Sequence, residues 1–345
     1  MHMADALISP AVGTVMLAAT TGIALYSIKK VQDMDDHKVP LMAVMGAFVF
    51  AAQMINFSIP GTGSSGHLGG GLLLAILLGP YAGFLTMASV LIIQALFFAD
   101  GGLLALGCNI FNLGFYPCFI VYPLVYRILV NQKPSTARLF TGTLIAAVIG
   151  LQFGAFSVVF ETVVSGRTEL PFSAFVMLMQ PIHLAIGIVE GLVTASIVAF
   201  VWRARPEIIE HNQSGNRLSV SRILTAFALA AILTGGVLSW FASTRPDGLE
   251  WSIAKVSGME QLERNGTIHK ALAAVQEKVA LLPDYSFKTS PESHAIEQAQ
   301  QWPAVNGGTS FAGLIGGVMT LLLSGLAGLG IMYIKKFRKA KAFID

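Results

Sequence analysis

The chain has 345 residues, of which 54% are hydrophobic and 12% are charged, and its mean hydropathy is +0.68. Because soluble globular domains carry about 25% charged residues, this composition predicts a polytopic membrane protein embedded in a lipid bilayer. The formal net charge of +3 indicates neither nucleic acid nor an acidic protein as a partner.

The chain opens with Met1-His2-Met3-Ala4-Asp5, a compact metal chelate. The Met1 amine, the His2 backbone nitrogen and the His2 imidazole can close a five-membered and a six-membered ring around one ion. These three nitrogens occupy three of the four positions of a square-planar site, and the fourth position stays empty. Square-planar nitrogen ligation is the geometry of Ni(II) and Cu(II). A bulky second residue is expected to protect Met1 from removal. The alternative is that this start binds nothing.

Nine apolar segments approach the length of about 20 residues that a spanning helix needs. They cover residues 7–28, 39–57, 68–85, 86–98, 103–129, 139–163, 172–202, 223–241 and 311–334. We expect a break near Gly79-Pro80 within residues 68–98, with the shorter helix after it. The predicted fold is therefore all-α.

The basic residues predict how these helices cross the membrane. Lys29-Lys30 follow the first apolar run and no Lys or Arg precedes it, which argues against a signal peptide and places the N-terminus outside. With nine spans, the short outer loops then carry only Arg167 and the C-terminus is cytoplasmic. His2 and the loop of residues 58–67 fall on the same outer side of the cell (inner) membrane.

A polar, turn-rich linker near residues 203–221 divides the chain. We predict a metal-binding transmembrane domain at residues 1–212. Residues 213–345 are predicted to form two further transmembrane helices that flank an outer segment at about 242–310. Apolar residues at helical spacing from Ile268 to Val279 predict a helix in that segment.

A Gly/Ser loop, Gly61 to His67, precedes the third apolar segment. It lacks the Lys-Ser/Thr of a phosphate-binding Walker loop, so ATP hydrolysis is expected on separate subunits and the chain is not predicted to be an enzyme. His67 is the best-placed donor for the fourth corner of the chelate. The alternative for His67 is a helix-capping or interface histidine, and His183 is its main rival as a ligand.

His183 and Glu190 lie seven residues apart, which puts them on one face of a helix. Ionisable residues within a span are functional suspects. They could support the site or line a metal path, or they could form a buried hydrogen bond that fixes helix packing. A stand-alone metal/proton transporter that uses both as a relay is the alternative function.

Several oxygen-bearing side chains could hold the second nitrogen of a ligating histidine or line its path. They are Asp5, Ser65, Asp100, Asn109 and Asn112. Helix capping is the alternative, particularly for Asp100.

Ala43, Ala47 and Ala51 form a small-residue stripe on the second predicted span. Such stripes let helices approach closely in lipid, so this one indicates either docking to a partner membrane protein or internal packing. Cys108 and Cys118 lack metal or disulfide spacing. The remaining histidines, at positions 37, 211, 269 and 294, are expected to be solvated.

Four stretches of the sequence resemble the CbiM/NikM proteins, the substrate-capture (S or M) components of cobalt/nickel energy-coupling-factor importers. The stretches are Met1 to Pro10, Asn56 to Gly69, Ile76 to Pro80 and Ala99 to Asn109. Pro246-Asp247-Gly248-Leu249-Glu250 resembles the PDGLE or N-type (CbiN/NikN-like) companion, fused here in one chain.

The resemblance implies a seven-helix bundle in which an extra N-terminal helix carries Met1 and His2 into the centre. It implies that Met1, His2 and His67 bind Ni(II) or Co(II) as transported substrate. It also implies a transmembrane coupling (T/Q) subunit and two cytoplasmic ATP-binding subunits as partners, with the alanine stripe as a docking face. Both the planar site and the fused arrangement favour nickel.

Overall fold

The computed structural model describes residues 2–31, 38–130, 135–167, 170–205, 220–258, 266–288 and 302–341, with residues 220 and 336–341 described by backbone only. In these ranges the chain is almost wholly helical, which confirms the predicted all-α polytopic fold. Met3, Leu7 and Ile8 are fully buried, so the N-terminal segment lies inside the helical bundle and not on its surface.

The helices of the first part follow one another with short connections. They are α1 (Pro10–Val31), α2 (Lys38–Gln53), α3 (Gly71–Leu78), α4 (Pro80–Phe97), α5 (Leu106–Val130), α6 (Thr136–Ser165) and α7 (Phe172–Ala204). A two-stranded antiparallel hairpin, β1 (Phe57–Ser58) and β2 (Ser65–Gly66), lies between α2 and α3. Among the described residues, α1, α4, α5, α6, α7 and the last helix are long and apolar enough to cross a membrane.

The break at Gly79-Pro80 was predicted correctly, but the shorter helix lies before it. Two glycines with positive φ, Gly70 at +77° and Gly79 at +87°, bracket α3. Its eight residues rise about 12 Å, too little for a hydrocarbon core of about 30 Å. Every residue of α3 is buried, so this helix fills the interior while α4 provides the span.

Helix α5 has wide, π-helical turns from Phe111 to Tyr126. Pro117 and Pro123 lie within this stretch and have no amide hydrogen, which interrupts the ordinary α-helical bonding pattern. The start of α3 packs here, because a Cβ added at Gly71 would collide with the Leu113 carbonyl oxygen. The sequence pattern predicted a helix in this place but not its widened turns.

The described residues of the second part form a 17-residue apolar helix, a longer apolar helix near the C-terminus and two short helices between them. They are α8 (Val220–Gly236), α9 (Gly248–Ser257), α10 (Thr267–Val279) and α11 (Gly307–Lys341). Helices α8 and α11 pack closely on each other where Gly235 meets Gly313. The helix predicted between Ile268 and Val279 is present as α10.

Helices α8 and α11 both pack against α2, and this corrects the reading of the alanine stripe. Ala43, Ala47 and Ala51 are 8%, 5% and 1% exposed. A Cβ placed on Gly325 of α11 would lie 3.4 Å from Ala43, and Ala47 and Ala51 cluster with Ala231 of α8. In the described residues the stripe is therefore an internal packing face, covered by the C-terminal helices of the same chain.

The outer segment lies on the bundle near the N-terminal turn. Gln276 of α10 donates to the carbonyl oxygens of Ala95 (2.9 Å) and Gly101 (2.8 Å). His269 was expected to be solvated, and this was wrong, because it is 1% exposed and its Nε2 lies 2.9 Å from the carbonyl oxygen of Ile8. His37, His211 and His294 lie outside the described residues.

Candidate metal centre

The structure brings His2 and His67 together. Their rings stack with centroids 4.9 Å apart and planes 12° from parallel. The side chain of His2 is 7% exposed, and His67 is 8% exposed. Two residues 65 positions apart in the sequence therefore share one buried pocket, as the chelate prediction requires of these two. Met1, the third predicted ligand, lies outside the described residues.

The backbone next to His2 is clamped by Asn109 at the start of α5. The Met3 N–H donates to Asn109 Oδ1 at 2.8 Å, and Asn109 Nδ2 donates to the Met3 carbonyl oxygen at 3.2 Å. The Gly102 N–H donates to the same carbonyl oxygen at 2.9 Å. These bonds hold the chain in one register just after the proposed chelate.

Asp5 fixes the other end of this N-terminal turn. Its Oδ1 accepts the N–H groups of Leu104 (2.8 Å) and Ala105 (3.1 Å). A Cβ added at Gly102 would collide with the Asp5 side chain, so glycine is needed there. Asp5 thus ties the N-terminal segment to the loop before α5 and acts on the site through the backbone.

Asp100 contacts His2 directly. Its Oδ1 lies 2.9 Å from His2 Nδ1, and its Oδ2 accepts the Tyr285 hydroxyl at 2.5 Å. Burial alone would raise the pKa of Asp100, but the charge and hydrogen bond of His2, together with the Tyr285 hydroxyl, hold this pKa well below its usual range. Asp100 is therefore a charged carboxylate that orients the His2 ring.

The loop that carries His67 is held from both ends. At its start, β2 pairs with β1 through Ser65 and Gly66. At its end, Glu190 of α7 accepts the N–H groups of Gly69 (2.7 Å) and Gly70 (3.1 Å). Glu190 thus anchors the loop that carries His67 to α7.

His67 faces the site with one nitrogen committed to the backbone. Its Nδ1 lies 3.0 Å from the Leu68 carbonyl oxygen, which can only accept, so Nδ1 carries the proton. Burial first, and then nearby positive charges that include His2, lower the pKa of His67 to about 3, although Asp247 and the hydrogen bond to Leu68 partly offset this effect. The ring is therefore neutral at ordinary pH, which is the form that binds transition metals.

The Pro246–Glu250 motif of the C-terminal part packs onto the same loop. Asp247 caps α9, with its Oδ1 accepting the N–H groups of Leu249 and Glu250 at 2.8 Å each, and Glu250 Oε2 accepts the Asp247 N–H at 3.1 Å. This reciprocal pair is a capping box. The motif is thus the start signal of a helix.

Ser65 joins that motif to the His67 loop. Its N–H donates to the Pro246 carbonyl oxygen at 2.8 Å, and its Oγ donates to the Arg245 carbonyl oxygen at 2.7 Å. Residues 65 and 247 pair as a parallel bridge. Ser65 was predicted to support the ligands or line a path, and the structure places it as the link between the two parts of the chain.

Sequence reasoning passed over two polar groups near the site, the buried Glu161 and the partly buried Tyr285. Glu161 of α6 is 4% exposed and accepts Asn112 Nδ2 at 2.9 Å and Ser157 Oγ at 3.2 Å. Tyr285 lies in the outer segment, far from the other site residues in sequence. A carboxylate within an apolar span was a readable signal for Glu161, whereas no local pattern identifies Tyr285.

The described residues supply an incomplete donor set by themselves. No group of three or more His, Cys, Asp or Glu side chains in the described part of the chain is placed to hold an ion. The predicted ligand set does not need three such side chains, because two of its four nitrogens, the Met1 amine and the His2 backbone nitrogen, belong to the backbone. The arrangement is that of a pre-shaped, buried nitrogen pocket that a terminal chelate would complete.

Two families match the chain in adjacent regions. Residues 2–208 match CbiM, described as the cobalt uptake substrate-specific transmembrane region, and residues 221–332 match the PDGLE domain. A protein of Archaeoglobus fulgidus provisionally named as a fused nickel transport protein, NikMN, is 31% identical over 325 residues, 94% of this chain and 96% of its own length. These matches support the predicted fusion of a CbiM/NikM-like part with an N-type part.

Other similar proteins carry names for both metals. The fused nickel transport protein NikMN of Rhodobacter capsulatus is 34% identical over 230 residues, 61% of this chain and 64% of that protein. The cobalt transport protein CbiM of Sorangium cellulosum is 28% identical over 195 residues, 55% of this chain and 85% of that protein. A crystal structure of a transition metal transporter superposes with a TM-score of 0.53 at 32% identity, covering 61% of this chain and 97% of that one.

Proposed function

The chain belongs to the CbiM family of cobalt uptake substrate-specific transmembrane regions, and we propose that it captures Ni(II) or Co(II) for an ATP-driven energy-coupling-factor importer. The observation that carries this proposal is the stacked, buried pair of His2 and His67. The clamp of Asn109 on Met3 supports it further, because a terminal chelate needs a fixed backbone.

The ion would be held by the neutral Met1 amine, the His2 backbone nitrogen after loss of its hydrogen, and the His2 and His67 imidazoles, with the displaced protons passing to water. Closing a six-membered ring with the His2 backbone nitrogen requires His2 Nδ1, which Asp100 now holds at 2.9 Å. Capture through Nδ1 therefore requires the contact between His2 Nδ1 and Asp100 to open.

We favour nickel as the transported ion. Four nitrogens in a plane suit Ni(II), and the two fused relatives described above carry nickel in their names. The His67 ring is neutral, so no proton has to leave it before it binds an ion.

The energy source is proposed to lie outside this chain. No Gly-Lys pair occurs in the sequence, and hence no Walker phosphate loop. We infer a transmembrane coupling subunit and two cytoplasmic ATP-binding subunits as partners. The N-terminus is proposed to lie outside the cell and the C-terminus in the cytoplasm, as the distribution of Lys and Arg indicates.

One residue added before Met1 tests the proposal directly. It moves the terminal amine out of the five-membered ring, and Ni(II) affinity of the purified chain should fall by more than about 100-fold, since even outer partners of a metal are worth about 10–100-fold. His67→Ala should have a similar effect. Isothermal titration calorimetry with Ni(II) measures both.

The matched control is the same residue added after Asp345, which should leave affinity unchanged. If the N-terminal extension also leaves affinity unchanged, the ion does not bind at the terminus and the proposal fails. If His183→Ala abolishes binding while His67→Ala does not, the capture site lies deeper in the bundle.

A further inference from the structure

Five large apolar side chains lie exposed at one end of α8 and α11. They are Phe241, Phe287, Trp302, Val305 and Phe311, and their exposed fractions run from 45% for Phe241 to 69% for Trp302. We call these five residues the apolar rim. The first follows α8, the last lies on α11, and the other three belong to the segment between these helices. Single exposed apolar residues are ordinary, whereas a contiguous group marks a surface that contacts something other than water.

The members of the rim contact one another in two ring pairs. The rings of Phe241 and Trp302 meet nearly edge to face, with centroids 5.6 Å apart. The rings of Phe287 and Phe311 have centroids 5.7 Å apart. Phe287 also packs over Gly308 of α11, where an added Cβ would lie 3.1 Å from the Phe287 ring. Each pair joins a residue of the outer segment to one at the end of α8 or α11, so the outer segment is held level with the helix ends.

Backbone and indole hydrogen bonds fix the rim in place. The Ala304 N–H donates to the Trp240 carbonyl oxygen at 2.9 Å, and the Trp240 indole N–H donates to Ser310 Oγ at 2.7 Å. The Trp302 indole N–H donates to the Phe241 carbonyl oxygen at 3.4 Å. Both indole N–H groups therefore have partners within the protein, and neither needs water at the exposed surface.

The rim continues two apolar stripes that run along α8 and α11. Exposed apolar side chains recur there every three or four residues, which is the spacing of one helix face. The stripes consist of Leu229, Leu233, Val237 and Phe241 along α8 and the turn after it, and of Phe311, Leu314, Val318 and Leu322 along α11. In a multi-pass membrane protein, such exposed apolar faces contact the acyl chains of the bilayer.

Helix lengths place the rim at the boundary of the membrane. Helix α8 and the 3₁₀ turn that follows it, Leu238–Phe241, rise about 25 Å and about 8 Å. Together they match the hydrocarbon core of about 30 Å. On α11 no charged residue lies between Phe311 and Lys335, which are about 36 Å apart along the helix. Both helices thus put the rim where acyl chains give way to headgroups.

The rim lies on the side of the molecule that carries the His2 pocket. Phe287 follows Tyr285 closely in the sequence, and the Tyr285 hydroxyl bonds Asp100 beside His2. A contact that holds Phe287 therefore also fixes the position of Tyr285 relative to the membrane.

We propose that the apolar rim inserts into the boundary between lipid headgroups and acyl chains on the side of the His2 pocket, and that it anchors the outer segment to the membrane surface. Trp side chains are enriched at this depth because their rings are amphipathic. No member of the rim is charged, and the lipid that covers the two stripes extends to the rim without a gap. The anchor does not depend on which ion the chain binds.

Tryptophan fluorescence in liposomes tests this anchor. In the full-length chain, Trp202→Phe, Trp240→Phe and Trp251→Phe leave Trp302 as the only tryptophan. Phosphatidylcholine that is brominated near the headgroup should reduce the Trp302 emission by roughly half, because an interfacial ring lies at this depth. Phosphatidylcholine brominated at the chain ends, or iodide in the water, should reduce it much less.

Two further single-tryptophan chains calibrate the depth, after Trp302→Phe has also been made. Val318→Trp places the ring on the α11 stripe, where lipid brominated at the chain ends should quench most strongly. Glu277→Trp places it at an exposed position of α10, where only iodide should quench. The melting temperatures should stay close to that of the parent, since the Ser310 hydroxyl still donates to the Gly236 carbonyl oxygen after Trp240→Phe.

A nitroxide spin label attached through Val305→Cys gives a second measurement that keeps every tryptophan. Cys108 and Cys118 are buried, so the label reacts at position 305. Oxygen concentrates in lipid and chromium oxalate stays in water. In electron paramagnetic resonance of the labelled chain in liposomes, oxygen should relax the label more strongly than chromium oxalate does.

Strong quenching of Trp302 by iodide, with no effect of brominated lipid, would overturn the inference, because the rim would then lie in water. Weak quenching by both lipid and iodide would overturn it as well, since the rim would then be covered by protein, such as a second copy of this chain. The spin label is interpreted in the same way. Metal capture is measured separately by calorimetry, and none of these outcomes decides it.

Discussion

At the scale of single residues, the site depends on how well the backbone after His2 is held. Asn109 bonds both the N–H and the carbonyl oxygen of Met3, and both residues are buried. Truncating Asn109 leaves the buried Met3 N–H without its partner, at about 1–3 kcal/mol, whereas the Met3 carbonyl oxygen keeps the Gly102 N–H. The clamp acts on the position of the chelate and not on its donor atoms.

We therefore expect Asn109→Ala to lower Ni(II) affinity at least about tenfold, or roughly 1.4 kcal/mol. Asn112→Ala is the control, because Asn112 lies on the same helix and is equally buried but bonds the side chains of Glu161 and Met3 and not the Met3 backbone. It should lower thermal stability and leave affinity within about twofold. Equal losses of affinity in the two variants would mean that the clamp has no special role. Calorimetry and thermal unfolding in detergent give the two quantities.

At the scale of helices, the chain's own C-terminal part occupies the face that the sequence offered to a partner. The small side chains of α2 allow α8 and α11 to approach closely, as such stripes do in lipid. Sequence spacing identified the stripe as an interface, but spacing alone does not say which helix covers it. The covering helices begin at Val220 and Gly307, far from α2 in the sequence.

Ala47→Leu tests this packing. The larger side chain has no room against α8 and α11, and overpacking of this kind costs about 1–3 kcal/mol. The melting temperature of the isolated chain should fall by several degrees. The control is Val15→Leu on α1, where the side chain is 65% exposed and the change should be close to zero. An unchanged melting temperature for Ala47→Leu would instead favour a stripe that docks a separate subunit.

Local patterns predicted the helices better than the contacts between them. Gly79 and Pro80 correctly predicted a break between two helices. The helical spacing of apolar residues at 268–279 correctly predicted a helix. The length of α3 was misjudged, because its ends depend on how Gly70 and Gly79 turn within the packed interior. The hydrogen bond of His269 to Ile8 joins residues 261 positions apart, which no local pattern records.

At the scale of the whole molecule, three distant parts of the sequence converge on one buried pocket. The N-terminal segment supplies His2, the loop before α3 supplies His67, and the PDGLE motif lies against that loop through Ser65. The sequence predicted the two histidines from metal chemistry. The sequence left the role of the PDGLE motif open, because a capping box shows where a helix begins and does not show which residues that helix packs against.

This arrangement means that the two fused parts share the capture site. The outer segment reaches Asp100 through Tyr285, and Asp100 in turn orients His2. The C-terminal part therefore contacts the site at two points, at the His67 loop and behind the His2 ring. Residues of the C-terminal part cover the His67 loop and the His2 ring, so the proposed capture of an ion predicts some movement of this part.

The most direct test of the account is nickel X-ray absorption spectroscopy on the purified chain with its native N-terminus and one equivalent of Ni(II). We expect the edge feature of square-planar Ni(II), a first shell of nitrogens only, and imidazole scattering from His2 and His67. The same spectrum should be lost when one residue precedes Met1. An octahedral, oxygen-rich shell, or a spectrum that the extension leaves unchanged, would contradict the terminal nitrogen site.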